Sequence, residues 1–382
     1  MNDAVIVSAV RTPAGRAPKG VFKDVRPDEL AAVAVAGCLA NLPQNVAEHI
    51  DDVILGCAFP ELEQGFNVAR TVAVRAGLPY SAAGMTVNRF CSSGLQAIAA
   101  ATAEIAMGWA DVVIAGGVES MSMIPMGGMK MTPNPYLMEQ NPVYYLAMGL
   151  TAEEVATRYG VTRQMQDEFA YSSCQKAEAA IATGRLQAEI SPVIVSREGR
   201  QTFVAIDELK KGATLDGLAA LKPVFKLNGT VTAGNASPMS DGASAVMIMS
   251  EKKAQELGAR PLGRLKSFAV VGVEPEVMGI GPIKAIPKVL QQAGLSLKDI
   301  GLIELNEAFA AQAVACINTL GINPEIVNVN GGAIALGHPL GCTGAKLTTT
   351  LLHEMTRRKV QYGIVSMCIG GGMGAAGVFE RL

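Results

Sequence analysis

Cys91 lies where a short predicted strand, residues 85–87, runs almost directly into a helical stretch that begins at Gln96. A cysteine at such a junction meets free backbone N–H groups and the positive end of the helix dipole, which favour the reactive thiolate. The same amides can hold a developing oxyanion. The alternative is that Cys91 is only a small residue at a tight turn, and the segment taken alone does not decide between the two.

A loop of small residues, 331–341, contains His338, one of only three histidines in the chain. Its glycines permit close backbone approach, and Pro339 restricts the chain beside the histidine. His49, in a segment predicted to be exposed, and His353, on a helix predicted over residues 345–357, fit ordinary structural roles better. His338 is therefore the candidate base that takes the proton of Cys91, and such a pair favours the thiolate.

Two further polar positions follow predicted strands in the last third of the chain. Cys368 precedes a run of glycines whose backbone amides can face a substrate carbonyl, so that Cys368 can donate or accept a proton. A nucleotide-binding glycine fingerprint is excluded, because the chain ends at Leu382 and leaves no room for a helix and a strand. In isolation, a buried cysteine in a turn is the favoured alternative. Asn306 can orient a water, whereas Glu307 can simply cap the next helix.

The elements that position these residues are predicted by strand and helix signals that alternate along the chain. Predicted strands at residues 5–7, 53–55 and 112–115 and a predicted helix at 27–40 indicate a layered α/β architecture. A weak repeat is also present: residues 51–59 resemble 300–309, and each half then has a Val-Asn element, a turn into an Ala-containing helix, and a strand that runs into glycines. The shared order of these features favours duplication of the two halves. The Val-Asn elements are Val87-Asn88 and Val329-Asn330.

The regular alternation of strand and helix signals is interrupted between the halves, over roughly residues 119–248. A methionine-rich stretch at 121–131 predicts an irregular loop, and helices are predicted at 151–158 and 163–183, the second with Thr162 as its N-cap. We interpret this part as an insertion that covers the face where the two halves meet.

Composition narrows the classes of function. The formal net charge is −2 and no run of Lys or Arg occurs, which disfavours nucleic-acid binding. Seven scattered cysteines without a C-x-x-C pair indicate a reducing compartment, and neither they nor the few histidines have metal-ligand spacing. The N-terminus lacks the pattern of a secretory signal, and no apolar window is long enough to insert into a membrane.

Taken together, these segments resemble the thiolase family in order and over essentially the whole chain. The resemblance rests on the Cys91, His338 and Cys368 segments and on several others: residues 7–13, 65–70, 229–237, 241–243 and 306–309. It implies an α/β thiolase fold with a duplicated five-layer α-β-α-β-α core. The implied domains are residues 1–118 with 242–249, a loop domain at 119–241, and residues 250–382.

The resemblance also implies roles for particular residues. Cys91 becomes the acylated nucleophile, His338 activates it, and Cys368 exchanges a proton with the acetyl-CoA carbon. One oxyanion hole uses His338 and a water held by Asn306, and the other uses the backbone N–H groups of Cys91 and Gly370. Four further positions match residues that contact CoA in relatives: Ser237, Ala233, Phe225 and Met148.

The chemistry implied is cleavage of a 3-ketoacyl-CoA by CoA, with CoA as a substrate and with no metal or redox cofactor. The amino-acid sequences of residues 90–96 and 63–67 are similar to those of the degradative thiolases of fatty-acid oxidation. This implies a cytoplasmic homodimer or homotetramer, and such enzymes can also join a hydratase–dehydrogenase subunit.

Three alternatives remain open at this point. They are an acetoacetyl-CoA thiolase that runs towards condensation, a condensing enzyme that extends acyl carriers, and a non-catalytic partner or CoA-binding module. Two departures from the family pattern affect the CoA site: Ala147 stands where relatives often have His or Ser, and residues 207–211 lack a usual Gly and Arg. Lys210 and Lys211 can still meet phosphates.

Overall fold

The structure is a computed structural model that describes residues 2–382. Strands and helices alternate along most of the chain, as the sequence predicts. The strands are β1 (Ala4–Arg11), β2 (Gly15–Arg16), β3 (Asp52–Gly56), β4 (Met85–Val87), β5 (Val112–Ser120), β6 (Val193–Arg197), β7 (Arg200–Val204), β8 (Ser240–Ser250), β9 (Gly263–Gly272), β10 (Leu302–Leu305), β11 (Tyr362–Ile369) and β12 (Met373–Arg381). The helices are α1 (Pro27–Ala40), α2 (Val68–Arg75), α3 (Ser93–Ala106), α4 (Pro135–Gln140), α5 (Met148–Arg158), α6 (Arg163–Ala182), α7 (Leu215–Ala219), α8 (Glu251–Leu257), α9 (Gly281–Ala293), α10 (Ala310–Leu320), α11 (Ala333–Leu336) and α12 (Leu340–Arg358).

The predicted duplication is confirmed by strand pairing. In the first half β1 is antiparallel to β8, β8 is antiparallel to β5, and β5, β3 and β4 are parallel. In the second half β9, β12, β11 and β10 repeat that order and sense, and Val327 makes a parallel bridge to Ile303 where the first half has β4. Ile54 pairs with Met85, and Ile303 pairs with Val327. Ile54 faces the middle helical layer whereas Ile303 faces an outer one, so the two are not equivalent, and the register does not align Val87-Asn88 with Val329-Asn330 residue for residue.

Alternation along the strands produces five layers, because successive side chains point to opposite faces of a sheet. On β5, Val112 and Ile114 pack against α1 and α2, whereas Val113 and Ala115 pack against α3 and α12. The second half mirrors this arrangement, since Val365 faces α3 and α12 and Ile364 faces α9 and α10. Two sheet halves thus enclose one helical layer and carry another on each outer face, which confirms the predicted five-layer α-β-α-β-α fold.

The two central helices, α3 and α12, approach each other closely because glycines line their crossing. A Cβ on Gly94 would lie 2.6 Å from the backbone nitrogen of Ala345, and one on Gly344 would lie 2.2 Å from that of Leu95. Both distances are shorter than packed atoms allow. The N-terminal ends of these helices, which lie next to Cys91 and His338, are therefore brought together by the absence of side chains.

The intervening segment contains α4–α7 and the β6–β7 hairpin. Its methionine-rich stretch is irregular, as predicted, and Met126, Met129 and Met131 are exposed. Helix α6 begins after Thr162, whose hydroxyl accepts a hydrogen bond from the Met165 amide at 3.2 Å, which confirms the predicted N-cap. The division of the chain into three domains, with their boundaries, stays a prediction.

All seven cysteines are free and buried, as their scattered spacing predicts. No helix in residues 2–382 is long and apolar enough to cross a membrane. No cluster of three or more His, Cys, Asp or Glu side chains suited to a metal ion occurs in the same described range.

Candidate active site

Cys91 lies in a short 3₁₀ turn, Phe90–Ser92, between β4 and α3, at the strand–helix junction that the sequence predicts. Phe90 has a φ of +44°, a conformation that costs free energy for a residue with a side chain. Asn88 supports this turn, because its Oδ1 accepts a hydrogen bond from the Phe90 amide at 2.9 Å while its Nδ2 donates to the Ala58 carbonyl. The strained turn presents Cys91 at the end of the helix in a nearly buried position.

The thiol of Cys91 is neutral in the free protein. Burial raises its pKa to about 11, and the negative charge of Glu119 acts in the same direction. Hydrogen bonds from the backbone N–H groups of Gly370 and of Cys91 itself oppose the shift but do not overcome it. The amides at the helix terminus favour the thiolate, as the sequence predicts, but desolvation outweighs them. Cys91 needs a base to become a nucleophile.

His338 has the protonation state that such a base requires. Its Nδ1 lies 2.5 Å from Thr343 Oγ1, and that hydroxyl donates its own hydrogen to the Pro339 carbonyl at 2.8 Å. The hydroxyl must therefore accept from Nδ1–H, which assigns the proton to Nδ1 and leaves a lone pair on Nε2. Burial lowers the pKa of His338 to about 3, with the charge of Lys346 as a second cause, so the ring is neutral near pH 7.

Asn306 lies beside His338 at the carboxyl end of β10. Its Nδ2 is 3.3 Å from His338 Nε2, and its backbone N–H donates to the Ser366 carbonyl of β11 at 2.9 Å. The side chain is fully buried, and its Oδ1 has no hydrogen-bond partner among residues 2–382. A buried amide oxygen without a protein donor is unusual and suits a site that receives a donor from substrate or solvent.

Cys368 occupies the carboxyl end of β11, as predicted. Burial raises its pKa well above the ordinary value, and the neighbouring Cys91 and Cys316 raise it further. The glycines that follow form a hairpin turn into β12, in which Gly371 and Gly372 have φ values of +81° and +85°. Strand β12 follows the turn directly, so no nucleotide-binding helix begins at these glycines.

The four candidate CoA positions lie around Phe309, which follows the Asn306 loop. The Phe225 ring meets the Phe309 ring edge-on at 6.2 Å, and it also covers Gly149, which adjoins Met148. The Ser237 amide and hydroxyl both donate to the Ala308 carbonyl at 3.0 Å. Ala233 is exposed in the same loop as Ser237. Met148 and Phe309 also belong to the apolar cluster that contains Cys368, whereas contact of the four positions with CoA stays a prediction.

Lys210 and Lys211 are the two basic residues near this loop that the sequence suggests for phosphate contact. Lys210 donates to the carbonyls of Ala233 and Gly234 at 2.5 and 2.9 Å, so its ammonium supports the loop. These bonds use two of its three N–H donors. The prediction that Lys210 and Lys211 can meet phosphates therefore stays a prediction.

Glu307 has a different role from the predicted helix cap. Its carboxylate accepts hydrogen bonds from Ser173 Oγ at 2.6 Å, Asn328 Nδ2 at 2.8 Å and the Ile334 amide at 3.1 Å. These partners belong to α6, to the segment after α10 and to the loop before His338. Glu307 therefore joins the inserted segment to the histidine loop.

Sequence reasoning missed Glu119, which connects the two halves at the site. Its Oε2 accepts from the Ala58 and Gly341 amides, each at 2.8 Å, and its Oε1 accepts from Gln64 Nε2 at 2.5 Å. Ala58 belongs to the first half and Gly341 to the histidine loop. A single Glu at a strand end gives no sequence signal for such a role. Thr343 was also missed, although its place one turn into the helix after His338 could have indicated it.

The cysteine, histidine and asparagine loops all follow the carboxyl ends of parallel strands or their equivalents. This is where ligands bind in open α/β sheets. The fold and the site together define a duplicated α-β-α-β-α protein with a buried Cys-His-Cys centre, suited to acyl transfer through a thiol.

Family models agree with this class. The thiolase N-terminal domain model matches residues 4–252, and the thiolase C-terminal domain model matches residues 259–381. The chain belongs to the thiolase family.

Individual relatives align over the full length. The chain is 55% identical to the 3-ketoacyl-CoA thiolase of Bacillus subtilis, with 100% of each chain covered. It is 47% identical to the 3-ketoacyl-CoA thiolase of Photobacterium profundum, again with 100% of each covered. Among solved structures, the acetyl-CoA acetyltransferase of Bacillus anthracis matches with a TM-score of 0.92 at 40% identity, and human mitochondrial 3-ketoacyl-CoA thiolase with 0.92 at 38%. Both structural alignments cover 100% of this chain and 99% of the matched chain.

Proposed function

We propose that this protein cleaves 3-ketoacyl-CoA with CoA, giving acetyl-CoA and an acyl-CoA shortened by two carbons. The observation that carries the proposal is a buried, neutral imidazole, His338, whose Nε2 can accept a proton, in a chain that also buries two neighbouring neutral thiols, Cys91 and Cys368. Relatives at 55% and 47% identity named 3-ketoacyl-CoA thiolase support the substrate class.

In the first half-reaction, the proton of Cys91 moves to His338 Nε2 and the sulfur attacks the keto carbon of the substrate. The bond between the keto carbon and the adjacent carbon then breaks, leaving the acyl group on Cys91. The departing acetyl-CoA enolate takes a proton from Cys368 and is released as acetyl-CoA. In the second half-reaction, CoA gives its thiol proton to the Cys368 thiolate and attacks the acyl group, and Cys91 leaves and regains its proton from His338.

Two sets of donors would stabilise the negative charge that develops in these steps. The amides of Gly370 and Cys91 would hold the oxyanion formed at the attacked carbon, and their hydrogen bonding to the Cys91 sulfur, which lowers the pKa of that thiol, supports this assignment. Protonated His338 and a water held by Asn306 would stabilise the enolate oxygen. The unpartnered Oδ1 of Asn306 supports the second assignment, because a water there would give that oxygen a donor.

Substrate binding in this proposal uses the surface around Phe309. CoA would lie against Ser237, Ala233, Phe225 and Met148, and no resident metal or redox cofactor takes part because both half-reactions balance with thiols and one imidazole. We further propose broad or longer-chain substrates, as in fatty-acid β-oxidation.

We also propose a cytoplasmic homodimer or homotetramer that can join a hydratase–dehydrogenase subunit. The edge of the sheet supports self-association: β4 lies at one end of the strand order, its Met85 is exposed, and Phe66 nearby is fully exposed. Exposed apolar side chains beside a sheet edge are typical of surfaces that pair with another chain.

A second candidate is acetoacetyl-CoA thiolase activity in the condensation direction. The match to the Bacillus anthracis acetyl-CoA acetyltransferase, at 40% identity and a TM-score of 0.92, favours it. Intact Cys91, His338 and Cys368 favour either enzyme over a non-catalytic module.

The test is CoA-dependent loss of 3-ketoacyl-CoA absorbance, with acetoacetyl-CoA measured beside a medium-chain substrate and with Cys91→Ala as the control. We expect activity on both substrates, higher on the longer one, and none in the variant. Activity on acetoacetyl-CoA alone would favour the second candidate. No activity on either would overturn the proposal in favour of a non-catalytic role.

A further inference from the structure

Lys346 is a buried lysine in the middle helical layer, on α12, that the reaction steps above do not use, and burial lowers the pKa of its ammonium group. Its side chain is 5% exposed, and its Nζ donates to the carbonyls of Leu336 and Gly337 at 3.1 and 3.0 Å. These residues immediately precede His338. Because burying an ammonium group is costly, its retention next to the histidine loop calls for a physical reason.

Ion pairing does not supply that reason. Among residues 2–382, no carboxylate oxygen lies within 4 Å of Lys346 Nζ, and the two nearby acids already bind Arg11. Arg11 contacts Glu189 at 2.6 Å and Asp207 at 2.7 Å. The charged and titratable groups that act on Lys346 at longer range are Arg11 of β1, Glu189 and Asp207 of the inserted segment, Glu304 of β10 and Cys342 of α12.

The hydrogen bonds of Lys346 fix the peptide unit that carries His338. The carbonyl of that unit is Gly337 O, held by Lys346, and its N–H is the His338 amide, which donates to Ser240 Oγ at 3.2 Å. Gly337 has a φ of +86° and, without a side chain, does not resist rotation of this unit. Both ends of the peptide are therefore held by side chains from outside the loop.

Lys346 and Thr343 act on the loop from one face of the same helix. They are three residues apart on α12, and residues at this spacing are neighbours on a helix surface. Thr343 holds Nδ1 of the ring, while Lys346 holds the backbone that leads into it. Two of the bonds that orient His338 thus come from a single turn of α12.

We propose that Lys346 is a positioning residue for His338, holding the preceding peptide so that Nε2 is aimed at the reacting thiol, and keeping the ring neutral through its positive charge. The inference rests on the proposed function, in which His338 accepts the proton of Cys91. The direction of the pKa shift of His338 agrees with it, since the charge of Lys346 adds to burial in lowering that pKa. A base that must be unprotonated before each turnover benefits from a fixed cation nearby.

The test compares Lys346→Met, which removes the charge and the donors, with Lys346→Gln, which keeps donors, and Lys346→Arg, which keeps both. Lys288→Met is the control, because Lys288 Nζ also donates to a backbone carbonyl, that of Val270 at 3.1 Å, and lies on α9 in an outer helical layer. Each protein is labelled at histidine and its ring signals are followed by NMR against pH. The chain has three histidines, and the ring signal that is missing from the His338→Asn spectrum is that of His338. Thiolysis is measured in parallel as kcat and kcat/KM against pH.

We expect Lys346→Met to lower kcat on the order of tenfold to a hundredfold, because a small displacement of the catalytic base lowers the rate by this order. The pH at which the His338 ring protonates should rise in Lys346→Met and Lys346→Gln, and kcat/KM should fall earlier on the acid side. Lys346→Arg should keep the titration of the wild type and a higher kcat than Lys346→Met. Lys288→Met should match the wild type in both readouts.

An unchanged His338 titration in folded Lys346→Met, or in Lys346→Gln where Lys346→Met does not fold, would overturn the proposal. So would a Lys346→Arg variant that folds but titrates like Lys346→Gln. If the wild type itself shows no thiolysis, the proposed function fails, while the NMR titration still decides the effect of Lys346 on His338.

Discussion

Replacing Thr343 with Val is the sharpest perturbation of the assigned tautomer of His338. The Thr343 hydroxyl is the acceptor for Nδ1–H at 2.5 Å, and Val has the same shape without that acceptor. The Pro339 carbonyl loses the hydroxyl as a donor but keeps the amides of Cys342 and Thr343, at 3.0 and 2.9 Å. The loss therefore falls mainly on the histidine ring.

The expected magnitude follows from the cost of leaving one buried donor without a partner, about 1–3 kcal/mol. The ring can avoid this cost by moving its proton to Nε2, but it then cannot accept the proton of Cys91. Because about 1.4 kcal/mol corresponds to a factor of ten, we expect kcat/KM for thiolysis to fall roughly fivefold to 150-fold. KM should change less than kcat, because the hydrogen bond does not contact substrate.

The assay is steady-state thiolysis with thermal unfolding measured on the same samples. Thr343→Ser, which keeps a hydroxyl, should retain most of the activity. Thr348→Val is the matched control, because Thr348 is buried on the same helix and its hydroxyl only donates to the Gly344 carbonyl. Thr343→Val with kcat/KM within twofold of wild type would refute the tautomer assignment and with it the role of Nε2 as the base.

Further predictions concern pH and charge. The pKa of His338 is about 3 in the folded protein against 6.5 for the free side chain, so the unfolded chain binds more protons below pH 6.5. This contribution to stability is present above pH 6.5 and is lost as pH falls towards 3; urea unfolding should therefore show a weaker decline with acid in His338→Gln than in wild type, and equal declines would contradict the assignment. Glu119→Gln should lower the free energy of unfolding by about 1–3 kcal/mol, because an amide nitrogen replaces one accepting oxygen among three buried donors. The same variant should let iodoacetamide modify Cys91 faster at a given pH, since the charge of Glu119 raises the pKa of that thiol; an unchanged rate would count against this electrostatic coupling.

The fold was largely predictable because its local signals agree with one another. Helix α1 runs over the predicted residues 27–40, and the predicted duplication is reproduced in the order and sense of the strands. Periodicity and turn chemistry act over a few residues, so they can be read from sequence. The sequence also allowed Cys91, His338, Cys368 and Asn306 to be proposed, because each follows a strand signal in or beside a stretch of small residues; their catalytic roles stay predictions.

What the sequence did not reveal depends on burial and on contacts between distant segments. Burial decides that Cys91 is a neutral thiol at rest, and a strand–helix junction alone indicated the opposite. Glu119 and Gly341 are 222 residues apart, so no local pattern could show that one holds the other. Lys210 illustrates the same limit, because only the fold shows that two backbone carbonyls occupy its ammonium group.

The most direct test of the account is to locate the acyl group by mass spectrometry of intact protein and of peptides after incubation with acetyl-CoA. We predict one acetyl group on Cys91 in wild type and in Cys368→Ala, and none in Cys91→Ala. In Cys368→Ala, cleavage of 3-ketoacyl-CoA should be lost although acylation survives. An acetyl group that remains on the Cys91→Ala protein, on Cys368 or elsewhere, would contradict the assignment of Cys91 as the nucleophile.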